Sequence, residues 1–265
     1  MTVPDVHGQP LAVLGMYPFP KLRPAWERLF AAVADRVRTK GFAAPSALRW
    51  DIDPHESWLH PELTVGMTCG WPLVTALRDK VRVVGTFAYS QEHAPEPHLY
   101  RTAIVSREEP SHCGLAGGRA AINSDDSLSG NISLLEVYGC GASWPGEVVA
   151  TGTHVRSLEA VRSGAADVAS IDGVTWLYQQ RDEAASVDGL HVVARGPWVP
   201  GLPVILPAAA SDAALEAWRD AFRRVVADPA LAHVMDDLLI VDFVALDLAD
   251  YDAALADIQA RHPVP

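Results

Sequence analysis

The chain has 265 residues, of which 33 are acidic and 21 basic, for a net charge of −12 with histidine neutral. An acidic chain without a Lys/Arg cluster lacks the electrostatic footprint that binding a phosphate backbone or an anionic membrane surface requires, which argues against nucleic acid and membrane as partners. With 49% hydrophobic and 20% charged residues, the composition is that of a globular protein of one or two domains, and no apolar run approaches the ~20 residues that insertion across a bilayer takes.

The pattern repeats a short apolar run, a few small polar residues and then a helix. Leu11 to Gly15 reads as a strand, followed by a helix over Pro24 to Lys40. Its apolar residues Trp26, Leu29, Phe30, Val33 and Val37 share one face, with Pro24 at the start and Gly41 at the stop. Further strands are predicted at Leu48 to Ile52, Leu63 to Met67, Val81 to Phe87, Arg101 to Ser106, Ala120 to Asn123, Val148 to Thr151, Asp167 to Ile171, His191 to Ala194 and Val204 to Leu206. Helices are predicted near Pro72 to Arg78, Gly130 to Tyr138, Val155 to Ser163 and Val174 to Gln180. Such alternation predicts an α/β fold with largely parallel sheets. After Ser211 come helices over Asp212 to Ala227 and Pro229 to Leu239, capped by Ser211 and Asp228, and a final one over Tyr251 to Ala260. The acidic excess concentrates here, 11 acidic residues against 4 basic over 205–265, and reads as solvated helix faces.

In open sheets, ligands collect beyond the carboxyl ends of parallel strands, and three successive strand-to-helix junctions are rich in donors. The first, Ser124 to Asn131, places the Ser127 and Ser129 hydroxyls and the Gly130 and Asn131 amides at a helix start, which is either an anion site or a plain serine cap. The second adds His154 and Ser157; the third adds Asp172, suited to an ammonium group or to a helix cap. Earlier in the chain, Tyr17 and Trp71 are either aromatic walls or core, and Thr68 with the amides after it is a further donor set.

Catalytic patterns are sparse. Ser129, His154 and Asp172 have the residue types of a nucleophilic triad, but G-x-S-x-G is absent and the chain order differs. His93-Ala-Pro-Glu-Pro-His98 lacks the H-E-x-x-H spacing of a metal site, and Gly114-Leu-Ala-Gly-Gly118 lacks the Lys-Ser/Thr of a phosphate loop. No catalytic residue, metal or cofactor is therefore predicted. Cys69, Cys113 and Cys140 form no C-x-x-C pair, and a Cys113–Cys140 bridge stays open. The stretch Met1 to Gln9 has neither the basic nor the apolar region of a secretory signal, so the sequence as written is not marked for export.

The succession Met16-Tyr17, Thr68-Cys69-Gly70-Trp71-Pro72-Leu73-Val74, Tyr100 to Val105, Asn123 to Asn131 with its Ser-x-Ser-Gly-Asn, Thr151-Gly152-Thr153-His154 with Ser157 to Val161, and Ala166-Asp167-Val168-Ala169-Ser170-Ile171-Asp172 with Trp176 resembles the phosphate/phosphite/phosphonate substrate-binding proteins of ABC transporters. The resemblance implies a type II periplasmic-binding-protein fold, two α/β lobes joined by two crossing strands with a ligand cleft between them. Lobe one would be 1–102 plus 205–265 and lobe two 103–204, with crossings near Tyr100 to Val105 and Gly201 to Leu206. It carries oxyanion contacts onto Ser127, Ser129, Gly130 and His154, with Tyr17 and Thr68 from the other lobe, and makes Asp172 the carboxylate for an aminoalkyl group. Trp71 stands where smaller aromatics are common in such proteins. The expected partners are a small oxyanion and an ABC permease, and the expected state is a monomer. The resemblance places the protein in the periplasm, whereas the absence of a signal leaves the cytoplasm as the alternative. A cytosolic enzyme on the same scaffold, chorismate-dehydratase-like or pyrimidine-synthase-like, and a sensor module are the competing readings.

Overall fold

The structure, a computed structural model, describes residues 10–108 and 115–263. In chain order the elements are β1 (Leu11–Val13), α1 (Arg23–Thr39), α2 (Pro54–Ser57), β2 (Leu63–Met67), α3 (Gly70–Val74), β3 (Val81–Tyr89), β4 (Leu99–Tyr100), β5 (Ala103–Ser106) and β6 (Ala120–Ile122). A π-helical turn (Leu128–Ile132) leads into α4 (Ser133–Tyr138), followed by β7 (Val148–Ala150), α5 (His154–Ser163), β8 (Val168–Ile171), α6 (Gly173–Asp182), β9 (His191–Arg195) and β10 (Val199–Pro200). The chain ends with β11 (Pro203–Pro207), α7 (Asp212–Val226), α8 (Ala232–Asp237), β12 (Ile240–Val244) and α9 (Leu248–Arg261).

These elements form two compact units. The first holds the residues up to His98 together with Pro200–Tyr251, and the second holds Leu99–Val199 with the residues from Asp252 onward. Each crossing falls a few residues earlier than expected, because β5 and β11 are full sheet members and the short β4 and β10 pair with each other instead. The end of the chain, assigned to lobe one from sequence, groups with the second unit, where Arg261 and His262 both bond the Glu136 carboxylate of α4.

The first unit is built on a five-stranded sheet of order β1-β2-β11-β3-β12. Only β1 and β2 pair in parallel; β11 runs against both its neighbours, and β12 runs against β3. The expectation of largely parallel sheets is therefore corrected to mixed sheets: β11 and β12 run against the other three strands of this sheet, and β5 is reversed in the sheet of the second unit. On α1 the predicted stripe Trp26, Leu29, Phe30, Val33 and Val37 is fully buried. Trp26 meets Phe87 of β3 edge to face at 5.4 Å, and Phe87 in turn meets Phe222 of α7 at 5.6 Å and Phe243 of β12 at 5.2 Å. This aromatic cluster gains pairwise geometry beyond its area burial.

Two predictions fail in this unit. Leu48 to Ile52 is not a strand: Arg49 donates one backbone bond to Ala12 O at 2.9 Å, then its guanidinium clasps Asp51, and the chain bends away toward Pro54. Conversely, β12 was not foreseen, since Asp242 interrupts its apolar run and its pairing partner β3 lies about 150 residues earlier.

The second unit has a sheet of order β7-β6-β8-β5-β9. Strands β6, β7 and β8 are mutually parallel with β6 in the middle, while β5 runs against both β8 and β9. Alternate strand residues feed two cores. Ala103, Val105, Ala121, Ala169 and Ile171 pack with Leu158 and Val161 of α5 and Trp176 of α6. Ile104, Ala120, Ile122 and Val168 pack with Leu134 and Leu135 of α4. A sheet covered on both faces explains why these strands read as unbroken apolar runs.

Candidate functional site

Because β7, β6 and β8 are adjacent and parallel, their carboxyl ends leave the sheet at one edge, and each runs into a helical segment that begins there. That common edge brings together residues far apart in sequence, each helix start turning its partial positive charge toward the same region.

After β6, Ser127 caps the turn, its Oγ accepting from Gly130 N at 2.9 Å. Asn131 N and Ile132 N both donate to Ser127 O, at 3.1 and 3.0 Å, and the second of these bonds is the wide spacing of a π-turn. The amides of Gly130 and Asn131, expected to be available to a ligand, are thus spent inside the turn. Leu128 and Ser129 occupy its first two positions, whose N–H groups precede any intrahelical acceptor. Asn131 Nδ2 also turns back, to Asp125 O at 2.8 Å.

Ser129 is the centre of the site. Its Oγ lies 3.0 Å from His154 Nε2, and its carbonyl accepts from Ser170 Oγ of β8 at 2.5 Å. On the far side of the ring, Asp172 N is 3.5 Å from His154 Nδ1. Burial pushes the His154 imidazole below its ordinary value, against the opposing effects of the Asp172 charge and the Ser170 backbone, so the ring is neutral near pH 7. Ser129 Oγ and His154 Nε2 therefore share one hydrogen bond, whose donor is set by the ring tautomer. Ser129, His154 and Asp172 do meet in space, as their residue types suggested, but Asp172 faces the ring with its backbone N–H, where the orienting acid of a triad presents its carboxylate.

Asp172 is buried and caps α6, with Oδ1 accepting from both Val174 N and Thr175 N at 2.9 Å. Thr153 caps α5 through Arg156 N at 3.2 Å. Ser157, expected at the ligand, is fully buried, and its hydroxyl bonds Thr151 Oγ1 at 2.7 Å, which ties α5 to the end of β7.

In the first unit, the parallel pair β1 and β2 likewise end at one sheet edge, where Tyr17 follows β1 and Thr68 and Trp71 follow β2. All three are buried. Tyr17 packs edge to face on Tyr89 at 5.8 Å, Thr68 N donates to Pro203 O at 3.0 Å, and the Trp71 carbonyl accepts from Thr75 Oγ1. The helix predicted over Pro72 to Arg78 is only the five residues of α3, because Thr75 leaves helical geometry.

Asn123 and Ser170 lie within the motifs that carry the resemblance, but the sequence assigns neither a role at the site, nor one to the N–H groups of Leu128 and Ser129. Asn123 was visible as the polar residue closing an apolar strand; Ser170, inside a strand, gave no comparable signal. The Cys113–Cys140 pairing falls outside the described residues through Cys113, as does Gly114 at the start of the glycine-rich stretch. Among the described residues, no helix is long and apolar enough to cross a membrane, and no group of three or more His, Cys, Asp or Glu is arranged to hold a metal ion.

A search of curated proteins found no match. Solved structures share the fold. PhnD1 from Prochlorococcus marinus, in complex with methylphosphonate, superposes with a TM-score of 0.71 at 12% identity, over 95% of this chain and 97% of that one. XAC2383 from Xanthomonas citri, bound to ATP, gives 0.68 at 16% identity over 96% and 98%. A binding protein component of an ABC phosphonate transporter from Pseudomonas aeruginosa gives 0.66 at 16% identity over 95% and 85%. These are periplasmic binding protein type II folds, as the sequence implied. Residues 57–251 match the family model described as ABC transporter, phosphonate, periplasmic substrate-binding protein, and the chain belongs to that family.

Proposed function

We propose that this protein captures a small phosphorus oxyanion, phosphonate or phosphate-like, and presents it to an ABC permease, acting as a monomer in the periplasm and without chemical turnover. The observation that carries the reading is the Ser129–His154 pair at the common edge of three parallel strands, where neutral donors and helix starts offer hydrogen bonds to an anion. Ser127, Ser129 and His154 would hold the oxyanion, and Tyr17, Thr68 and Trp71 would join it when the lobes close. A ligand that binds the closed form more tightly shifts the hinge equilibrium toward it.

The test is a thermal-shift screen with phosphate, phosphite, methylphosphonate, 2-aminoethylphosphonate and ATP against sulfate and simple carboxylates. A ligand present at about 100 times its Kd raises stability by about 2.7 kcal/mol, and Ser129→Ala should weaken it by roughly 10- to 100-fold without changing the apo fold. No shift with any phosphorus oxyanion overturns the reading. Asp172→Asn, which keeps a capping side chain, should weaken 2-aminoethylphosphonate and leave methylphosphonate unchanged. Equal losses would remove Asp172 from the role of ammonium partner.

A further inference from the structure

Asn123 ends β6 at the same edge and stands against the glycine of the π-turn. Its Oδ1 lies 1.6 Å from where a Cβ on Gly130 would be, and His154 Cε1 lies 3.1 Å from that same point. The amide oxygen therefore occupies the space beside the Gly130 Cα that a side chain there would need, with the His154 ring at the same place. Oδ1 is shut off from solvent with no hydrogen-bond partner. Nδ2 has no acceptor among the described residues either, yet it is not shut off, and the residue as a whole is only half-buried.

Leaving a buried acceptor unmatched destabilises a fold, and an apolar side chain would cover Gly130 without that cost. An asparagine here adds one thing an apolar residue cannot: an outward amide N–H beside Ser129 and His154. We infer that Asn123 is a specificity-determining residue whose Nδ2 donates to an unprotonated oxygen of the bound oxyanion. The inference deepens the proposed function and rests on it. It predicts selection by protonation state, since a donor at this point favours the fully ionised ligand whereas a carboxylate would favour one that keeps a proton.

The experiment measures the calorimetric Kd of methylphosphonate for wild type, Asn123→Ala and Asn123→Asp at pH 8.5, where the ligand is a dianion, and at pH 5.5, where it carries a proton. Asn123→Ala should bind roughly 10-fold more weakly at pH 8.5. Asn123→Asp should bind on the order of 100-fold more weakly at pH 8.5 and recover most of that loss at pH 5.5. Wild-type affinity in both variants, or a loss in Asn123→Asp that is the same at both pH values, overturns the inference, the latter by reducing Asn123 to packing over Gly130. If Asn123→Ala does not fold, the pH dependence of Asn123→Asp decides alone. A wild-type protein that binds neither methylphosphonate nor any other phosphorus oxyanion instead overturns the proposed function, so the two failures are distinguishable.

Discussion

The two edges of the second sheet are made by the same strands and do opposite things with their polar groups. Where β6 and β8 begin, Arg119 and Asp167 face each other. Asp167 accepts from the Arg119 guanidinium at 2.7 and 3.2 Å and from Arg119 N at 2.8 Å, and this pairing holds its carboxyl below the usual range. These two charges answer each other, on side chains still about a third exposed. Where β6 and β8 end, the Asp172 carboxylate is turned to capping α6 and the groups around it are neutral hydrogen-bonding ones: the Ser129–His154 pair, the amide of Asn123 and the first N–H groups of the π-turn. Closed ion pairing fastens strands together, whereas unspent neutral donors are what an anion can use. The ion-paired edge is thus structural and the donor-rich edge is the candidate site.

The sharpest way to break this comparison is Gly130→Ala. A Cβ cannot coexist with Asn123 Oδ1 at 1.6 Å, so the turn or the asparagine must move. Calorimetry should then show methylphosphonate affinity falling on the order of 100-fold or more, together with a lower Tm. Affinity equal to wild type would mean the turn geometry does not matter to the ligand.

Next in size is His154. His154→Gln should cost roughly 1–3 kcal/mol of binding, read by the same titration. The histidine also sets a pH dependence of the apo protein. Its folded value lies below that of the unfolded chain, so between the two values the unfolded state binds more protons and stability rises with pH. Thermal melts should therefore lose stability as pH falls below about 6.5, the unfolded value, and stay flat above it. His154→Gln should lack that part of the slope; an identical slope would show that the ring is not buried neutral.

Asp172→Ala removes the acceptor for two N–H groups and should lower stability by about 1 kcal/mol, the usual scale for a lost cap, measured by urea unfolding. The smallest effect belongs to the ion-paired edge. Arg119→Ala should change stability by less than about 1 kcal/mol, because its partner is partly solvated, and should leave affinity untouched. An affinity change there as large as that of His154→Gln would erase the distinction between the edges.

Much of this site was legible because part of it is local. Capping relations such as Ser127 with Gly130, Asp172 with Val174 and Ser211 with Ala214 span two or three residues, so the chain itself displays donor and acceptor together. The misassigned groups were those whose partners lie elsewhere in space. Nothing beside Ser157 announces that Thr151 shares a bond with its hydroxyl, and nothing beside Asn131 announces that its backbone N–H is spent on Ser127 O. Leu48 to Ile52 has a strand's composition, yet strand formation needs a neighbour along its length, and β1 offers it a single bond.

The sequence by itself determined the alternation of strands and helices, the apolar stripe of α1, the cap residues and the family likeness, since each follows from side chains within a few positions of one another. Only the tertiary structure decided that β11 and β5 run against their neighbours, that Ser129 meets His154 across 25 residues and Ser170 across 41, and that Asn123 fills the space a Cβ on Gly130 would need. The physical reason is that strand order and hydrogen-bond partnership are settled by competition among distant groups for the same buried positions, and no stretch of neighbouring residues records its outcome.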